Sequence, residues 1–259
     1  MIFTEAQLSA WLAAFLWPMI RISAMITAAP IFSSRQTPAR LRIGISLLLS
    51  FMLMPLIPPP PVVEVFSPAA LLIALQQVLI GLAMGFILQM VFGALVFGGQ
   101  ALAYSMGLGF ASMVDPQNGV QVPVLSQYYI ILSTLLFLVL NGHLLLIEIL
   151  AQSFYTLPVA VDGLTQTNLR DIVLWASRMF ASGLLMALPA IAALLLVNLG
   201  MGVITRAAPQ LNIFAVGFPM TMMIGFMLMW VTLPNVFAKF SELLEEALIL
   251  IRSLVLVAT

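Results

Sequence analysis

Polar positions are so sparse along this chain that they punctuate it rather than pattern it. The first apolar segment runs from about Ala6 to Ile31, closing at Pro30. A basic cluster follows, Arg35, Arg40 and Arg42, and then a short second segment, Leu41–Leu56. The four prolines Pro58–Pro61 hold an extended, rigid connector. From Val65 to Val114 fifty residues pass without one charge. As one straight helix, Leu71–Tyr104 would reach roughly 50 Å at 1.5 Å per residue, against a hydrocarbon core of ~30 Å. This segment is therefore expected to break near Gly93 or Gly98-Gly99, or to project out of the bilayer.

Gly107–Val122, rich in Gly, Asp, Pro, Gln and Asn, reads as a loop. Pro123–Thr156 is another long apolar segment, and Pro158–Asn168 a second loop. Leu169–Thr205 is apolar after Arg178, with a kink expected at Pro189. Arg206–Asn212 is a short polar break before the apolar run Ile213–Trp230. The C-terminus differs. Phe240, Leu243, Leu244, Ala247, Leu248, Ile251, Leu254 and Val255 share one helical stripe, while Lys239, Glu242, Glu245, Glu246 and Arg252 fall off it. That is an amphipathic helix. Its polar face is mostly acidic, whereas a membrane-surface helix carries Lys and Arg there. No other stripe in the sequence obviously complements it. The stripe Leu243, Leu244, Leu248 and Ile251 is expected to pack on a neighbouring subunit or on the chain's own bundle.

Composition sharpens this picture. Hydrophobic residues make up 63% of the 259 positions and charged residues 7%, nine basic against nine acidic. A soluble domain is about 25% charged, so the chain is an integral membrane protein or is buried in other subunits. Balanced charge offers nothing to nucleic acid. The absence of cysteine removes thiol and disulfide chemistry, and the single His143 removes any two-histidine site. Glu5 precedes the first apolar stretch and Arg21 follows, the reverse of a cleavable signal. The positive-inside rule places the basic loop in the cytoplasm and the N-terminus outside.

Small residues recur at four-residue spacing: Gly81 and Gly85, Ala94 and Gly98, Gly99 and Ala103, Gly183 and Ala187, and Gly217, Thr221 and Gly225. Such spacing lets helix backbones approach closely. Seventeen methionines add adaptable contact surface. Enzymatic signatures are missing. Phe180-Ala-Ser-Gly183 lacks the leading glycine of a serine protease motif, Gly107-Leu-Gly109 is followed by Phe110 rather than aspartate, and the only lysine is Lys239. No cofactor or metal is expected. Arg21, Glu148 and Arg178 are ionisable residues inside apolar segments, with His143 nearby. Such residues belong either to ion coupling in a stand-alone secondary transporter or to structural bonds with neighbouring helices.

Two polar breaks carry the most information. Gly107–Gly119 sets three glycines beside Met106, Phe110 and Met113, so that an apolar, flexible loop can fill a hole. Arg206–Phe214 offers a fixed cation, a helix stop and two amides that can cap helix ends or bind a neighbour's carbonyls.

At these strings the chain resembles the FliR family of flagellar export proteins, shared with virulence type III secretion. The match rests on Ala29-Pro30-Ile31-Phe32, Pro38-Ala-Arg-Leu-Arg42, the glycine-rich stretch ending in Gly99-Gln100, Asp115-Pro116-Gln117, and Arg206-Ala207-x-Pro209-Gln210-Leu211-Asn212-Ile213-Phe214. It covers essentially the whole chain. The resemblance implies an all-α, multi-hairpin membrane-type subunit with bent or broken hydrophobic helices, assembled helically with partner subunits. It implies a non-enzymatic export-gate protein in the bacterial inner membrane, at the flagellar basal body. One copy would join several FliP and FliQ, with FlhB, and unfolded flagellar substrates would pass through. Residues of about 1–168 would be FliP-like and about 169–259 FliQ-like. Met106, Gly107, Gly109, Phe110, Met113, Asp115, Pro116 and Gln117 would plug the channel. Arg206, Pro209, Gln210, Asn212 and Phe214 would form an assembly motif.

Overall fold

The structure is a computed structural model that describes residues 5–33, 37–61, 63, 67–109, 124–208 and 213–256. Seven helices account for nearly all of them, and no strand occurs among the described residues. They are α1 (Glu5–Ala28), α2 (Ala39–Leu53), α3 (Pro68–Ser105), α4 (Val124–Val139), α5 (Gly142–Thr156), α6 (Gln166–Ala207) and α7 (Ile213–Leu256). An apolar chain in lipid must satisfy its backbone internally, which leaves helices as the simple solution. By length and composition four of them can cross a membrane, or five spans exist if the bent pair α4–α5 counts as one.

The long helices do not break where glycine suggested. α3 runs unbroken for 38 residues through Gly93, Gly98 and Gly99. At 1.5 Å per residue that is about 57 Å, longer than a ~30 Å core, and the expected break near Gly93 or Gly98-Gly99 does not occur. Its glycines are contact points instead. A Cβ on Gly98 would lie 2.6 Å from the Gly183 carbonyl oxygen, and one on Gly99 would lie 2.8 Å from the Ser126 Cα. α6 continues through Pro189 for 42 residues. α7 joins the apolar run and the amphipathic C-terminus into one helix of 44 residues, with Pro219 and Pro234 inside it. The break instead falls in Pro123–Thr156, which the sequence presented as one apolar segment. Asn141, at φ 56°, turns the chain by 64° between α4 and α5. Leu138 and Asn141 carbonyls are taken up in that turn, and Gly142 lies flat against the Phe137 ring, where no side chain fits. α6 starts on a reciprocal cap: Asn168 N–H donates to Thr165 Oγ1, and Thr165 N–H donates to Asn168 Oδ1.

Contacts divide the chain into two interleaved units: residues 1–90, 137–175 and 244–259, and residues 91–136 and 176–243. In the first, α2 packs on α1 and α3 runs parallel to α1. Gly81 meets Arg21 and Ala24 of α1, and Gly85 meets Ala28 and Ala29 one turn on. The buried core there includes Ile22, Met25, Ile26, Ile73 and Ile80. In the second unit Phe92 meets Phe240 edge-on at 5.6 Å. The C-terminal stripe is not left open by its own chain. Leu243, Leu244, Ala247 and Ile251 are buried and Leu248 is half-buried. Phe92, distant in sequence, covers Phe240 at the start of that stripe.

The glycines give a paired prediction. A Cβ on Gly81 would lie 2.3 Å from the Arg21 carbonyl oxygen and 2.8 Å from the Ala24 Cβ, whereas one on Gly44 meets nothing within 4 Å. Alanine favours a helix over glycine by about 1 kcal/mol, but overpacking costs about 1–3 kcal/mol. Gly44→Ala should hold or raise the melting temperature in detergent and Gly81→Ala should lower it, as read by tryptophan fluorescence.

Candidate functional site

One charged side chain lies wholly inside the first unit. Arg21 of α1 is fully buried, and among the described residues no carboxylate pairs with it. Its Nε donates to Gln77 Oε1 at 2.8 Å. Nη1 donates to the Ser153 carbonyl oxygen and to Ser153 Oγ, both at 2.9 Å. Nη2 donates to the Leu157 carbonyl oxygen at 2.8 Å. The guanidinium carbon sits 4.2 Å from the centre of the Phe154 ring. Ser153 and Leu157 close α5, where the last carbonyls and the helix dipole supply partial negative charge; the Ser153 carbonyl also accepts the Leu157 N–H. A helix C-terminus and an aromatic face thus take the place of an acidic partner. The planar fork makes four hydrogen bonds at once, one more than the three donors of an ammonium allow.

The other sequence-selected ionisable residues do not join it. Glu148 is exposed on α5 and accepts a hydrogen bond from Gln152 Nε2 at 3.1 Å. Arg178 is exposed on α6 in the other unit. Arg206 is exposed in the last turn of α6. Pro209, Gln210 and Asn212 lie outside the described residues. So does the Phe214 side chain, although its backbone opens α7. Sequence reasoning missed Gln77, Ser153 and Leu157. Gln77 had a signal, being one of very few polar residues in the charge-free α3; Leu157 contributes only a carbonyl and had none.

The root of the glycine loop is built in the second unit. Gly107 ends α3 at φ 83°, with its N–H on the Tyr104 carbonyl and the Leu108 N–H on the Ala103 carbonyl, both 3.0 Å. These two bonds and the left-handed glycine form a Schellman cap. A Cβ there would lie 2.6 Å from the Phe218 ring. Met106 is fully buried, its carbonyl 3.4 Å from Thr221 Oγ1, and its side chain fills the space beside Gly225. α7 therefore cradles the root with Phe218, Thr221 and Gly225. The small-residue spacing had marked Thr221 and Gly225, though not what they would hold. Gly109 packs against the Tyr104 ring. Phe110, Met113, Asp115, Pro116 and Gln117 lie outside the described residues.

Length, composition and these helices define an all-α integral membrane protein. Residues 12–247 match the family described as bacterial export proteins, family 1, and the chain belongs to that family. Flagellar biosynthetic protein FliR of Escherichia coli (strain K12) is 41% identical over 92% of this chain and 91% of its own length. The FliR of Pectobacterium carotovorum subsp. carotovorum is 38% identical over 91% of both chains. That of Bacillus subtilis (strain 168) is 32% identical over 92% of this chain and 95% of its own.

The Arg21 cluster yields a coupling test. Arg21→Met takes the donor from Gln77 Oε1 and from the Leu157 carbonyl, while Ser153 keeps the Leu157 N–H on its carbonyl and its own bond to the Leu150 carbonyl; a buried group left unpaired costs about 1–3 kcal/mol. Arg21→Met should destabilise the protein in detergent by about 3 kcal/mol or more. Gln77→Leu should cost less on top of Arg21→Met than alone, because the bond is already gone. Strict additivity in the melting series would mean that the Arg21–Gln77 bond contributes nothing.

Proposed function

We propose that this chain is a non-enzymatic subunit of the bacterial flagellar protein export gate, forming part of a channel wall and supplying its plug. The observation that carries this reading is the near full-length likeness to flagellar biosynthetic protein FliR from distant bacteria. Its partners are then FliP, FliQ and FlhB, its cargo unfolded flagellar proteins, and its place the inner membrane at the basal body, with the N-terminus on the periplasmic side. The stretch to about residue 168 corresponds to a FliP-like part and the remainder to a FliQ-like part. Helices longer than a bilayer is thick support a wall that rises out of the membrane. A stand-alone transporter is disfavoured because Arg21 is already occupied by a helix end. The test of the whole reading is the mass of the complex purified with this chain as bait. A hetero-oligomer with two other small membrane proteins supports it, and a monomer or homo-oligomer overturns it.

The plug is placed on Met106–Gln117, hinged at Gly107. Gly107→Asp forces a side chain into a left-handed backbone position and against the Phe218 ring. The variant should leak ions or fail to secrete flagellar substrate. Normal conductance together with normal secretion would remove the plug assignment.

Arg206 is assigned to a subunit interface, where its five donors meet a neighbour's carbonyls or carboxylate. Arg206→Lys should weaken the assembly on blue-native gels and Arg206→Ala should weaken it more. Full assembly with lysine would mean that charge alone matters there.

A further inference from the structure

α3 ends in a cap that uses three of its last carbonyls. Leu102 accepts the Met106 N–H, Ala103 the Leu108 N–H and Tyr104 the Gly107 N–H, each at 3.0 Å. The next two carbonyls are reached by side chains from two other helices of the same unit. Asn198 Nδ2 of α6 donates to the Ser105 oxygen at 3.3 Å, and Thr221 Oγ1 of α7 donates to the Met106 oxygen at 3.4 Å. The direction in which the chain leaves α3 is therefore set from outside that helix, by one amide and one hydroxyl.

The chain's return to the unit at α4 is held differently. Ser126, in the first turn of α4, is fully buried, and its Oγ donates to the Val96 carbonyl at 3.0 Å. Its Cα lies so near Gly99 that no side chain fits between them. Backbone packing fixes that end. At the α3 end, Thr221 has one hydroxyl hydrogen and two acceptors: the Met106 oxygen at 3.4 Å and, within its own helix, the Phe218 oxygen at 3.1 Å. Releasing Met106 leaves the hydroxyl bonded to its own helix. Asn198 is exposed, so burial does not commit its amide to Ser105. Replaceable bonds at one end and close backbone packing at the other make the α3 end the one that can let go.

We propose that Thr221, together with Asn198, is a positioning residue for the channel plug, a role that rests on the plug assignment and adds the side chains that set its resting position. The Thr221 hydroxyl on the Met106 carbonyl holds the exit of α3 in the sealed arrangement. Transfer of that hydrogen to the Phe218 carbonyl accompanies release. The hydroxyl carries the role, not the bulk of the side chain.

The hetero-oligomer purified with this chain as bait, placed in a planar lipid bilayer, reports the fraction of time the channel conducts. Thr221→Val keeps the side-chain shape and removes the donor, whereas Thr221→Ser keeps the donor and removes the methyl. Thr221→Val should raise the conducting fraction roughly two- to tenfold, because one hydrogen bond lost from the sealed state alone shifts the equilibrium by about that factor. Thr221→Ser should seal as the unaltered chain does. Asn198→Leu, at an exposed position, should raise the fraction similarly, and it decides alone if Thr221→Val yields no complex. A sealed Thr221→Val complex overturns the proposal. So does leakage in Thr221→Ser, which would make packing the cause, and a sealed Asn198→Leu complex removes the part given to α6. Gly107→Asp separates this proposal from the reading beneath it. If that variant leaks or fails to secrete while Thr221→Val and Asn198→Leu seal, the positioning role falls and the plug stands. If it too seals and secretes normally, both fall together.

Discussion

The first unit depends on a cation that, among the described residues, has no acid. Arg21 is buried on α1, and its guanidinium ties that helix to two other stretches of chain: α3 through Gln77, and the end of α5 through Ser153 and Leu157. Desolvating a charge is expensive unless its donors are taken up. Here Gln77 Oε1, the Ser153 hydroxyl and carbonyl, and the Leu157 carbonyl take up its donors. The direction in which α5 ends, and the path of the chain into α6, follow from those bonds. Gly81 and Gly85 let α1 and α3 come close enough for Gln77 to reach the guanidinium.

Helix length is the second constraint. α3, α6 and α7 contain 38, 42 and 44 residues, each well beyond the ~20 that cross a bilayer. Apolar side chains outside lipid must be covered by protein, and many of these remain exposed, among them Leu196, Met223 and Trp230. These side chains lie on helices apolar enough to cross a membrane.

Much was legible in the sequence. Four of the six apolar runs became single helices within a few residues of their expected bounds, because a chain with 7% charge has few other ways to satisfy its backbone. Arg21 could be singled out as an ionisable residue in an apolar segment, and Gly107 as part of a special loop. Their roles were not legible. Glycine in a helix reads equally as a break or as a place of close approach, and only the carbonyl of Gly183 lying against Gly98 decides between them.

The sequence by itself determined the helical class, the membrane character and the positions of the polar breaks, since all three follow from local composition and spacing. The tertiary structure alone decided that the chain bends at Asn141 rather than in α3, and that the C-terminal stripe is covered by its own chain. It also decided that Arg21 is held by a helix end. These outcomes rest on partners distant in sequence, 56 and 132 residues for the two side chains bonded to Arg21. No pattern of nearby residues encodes which distant carbonyl will need a donor.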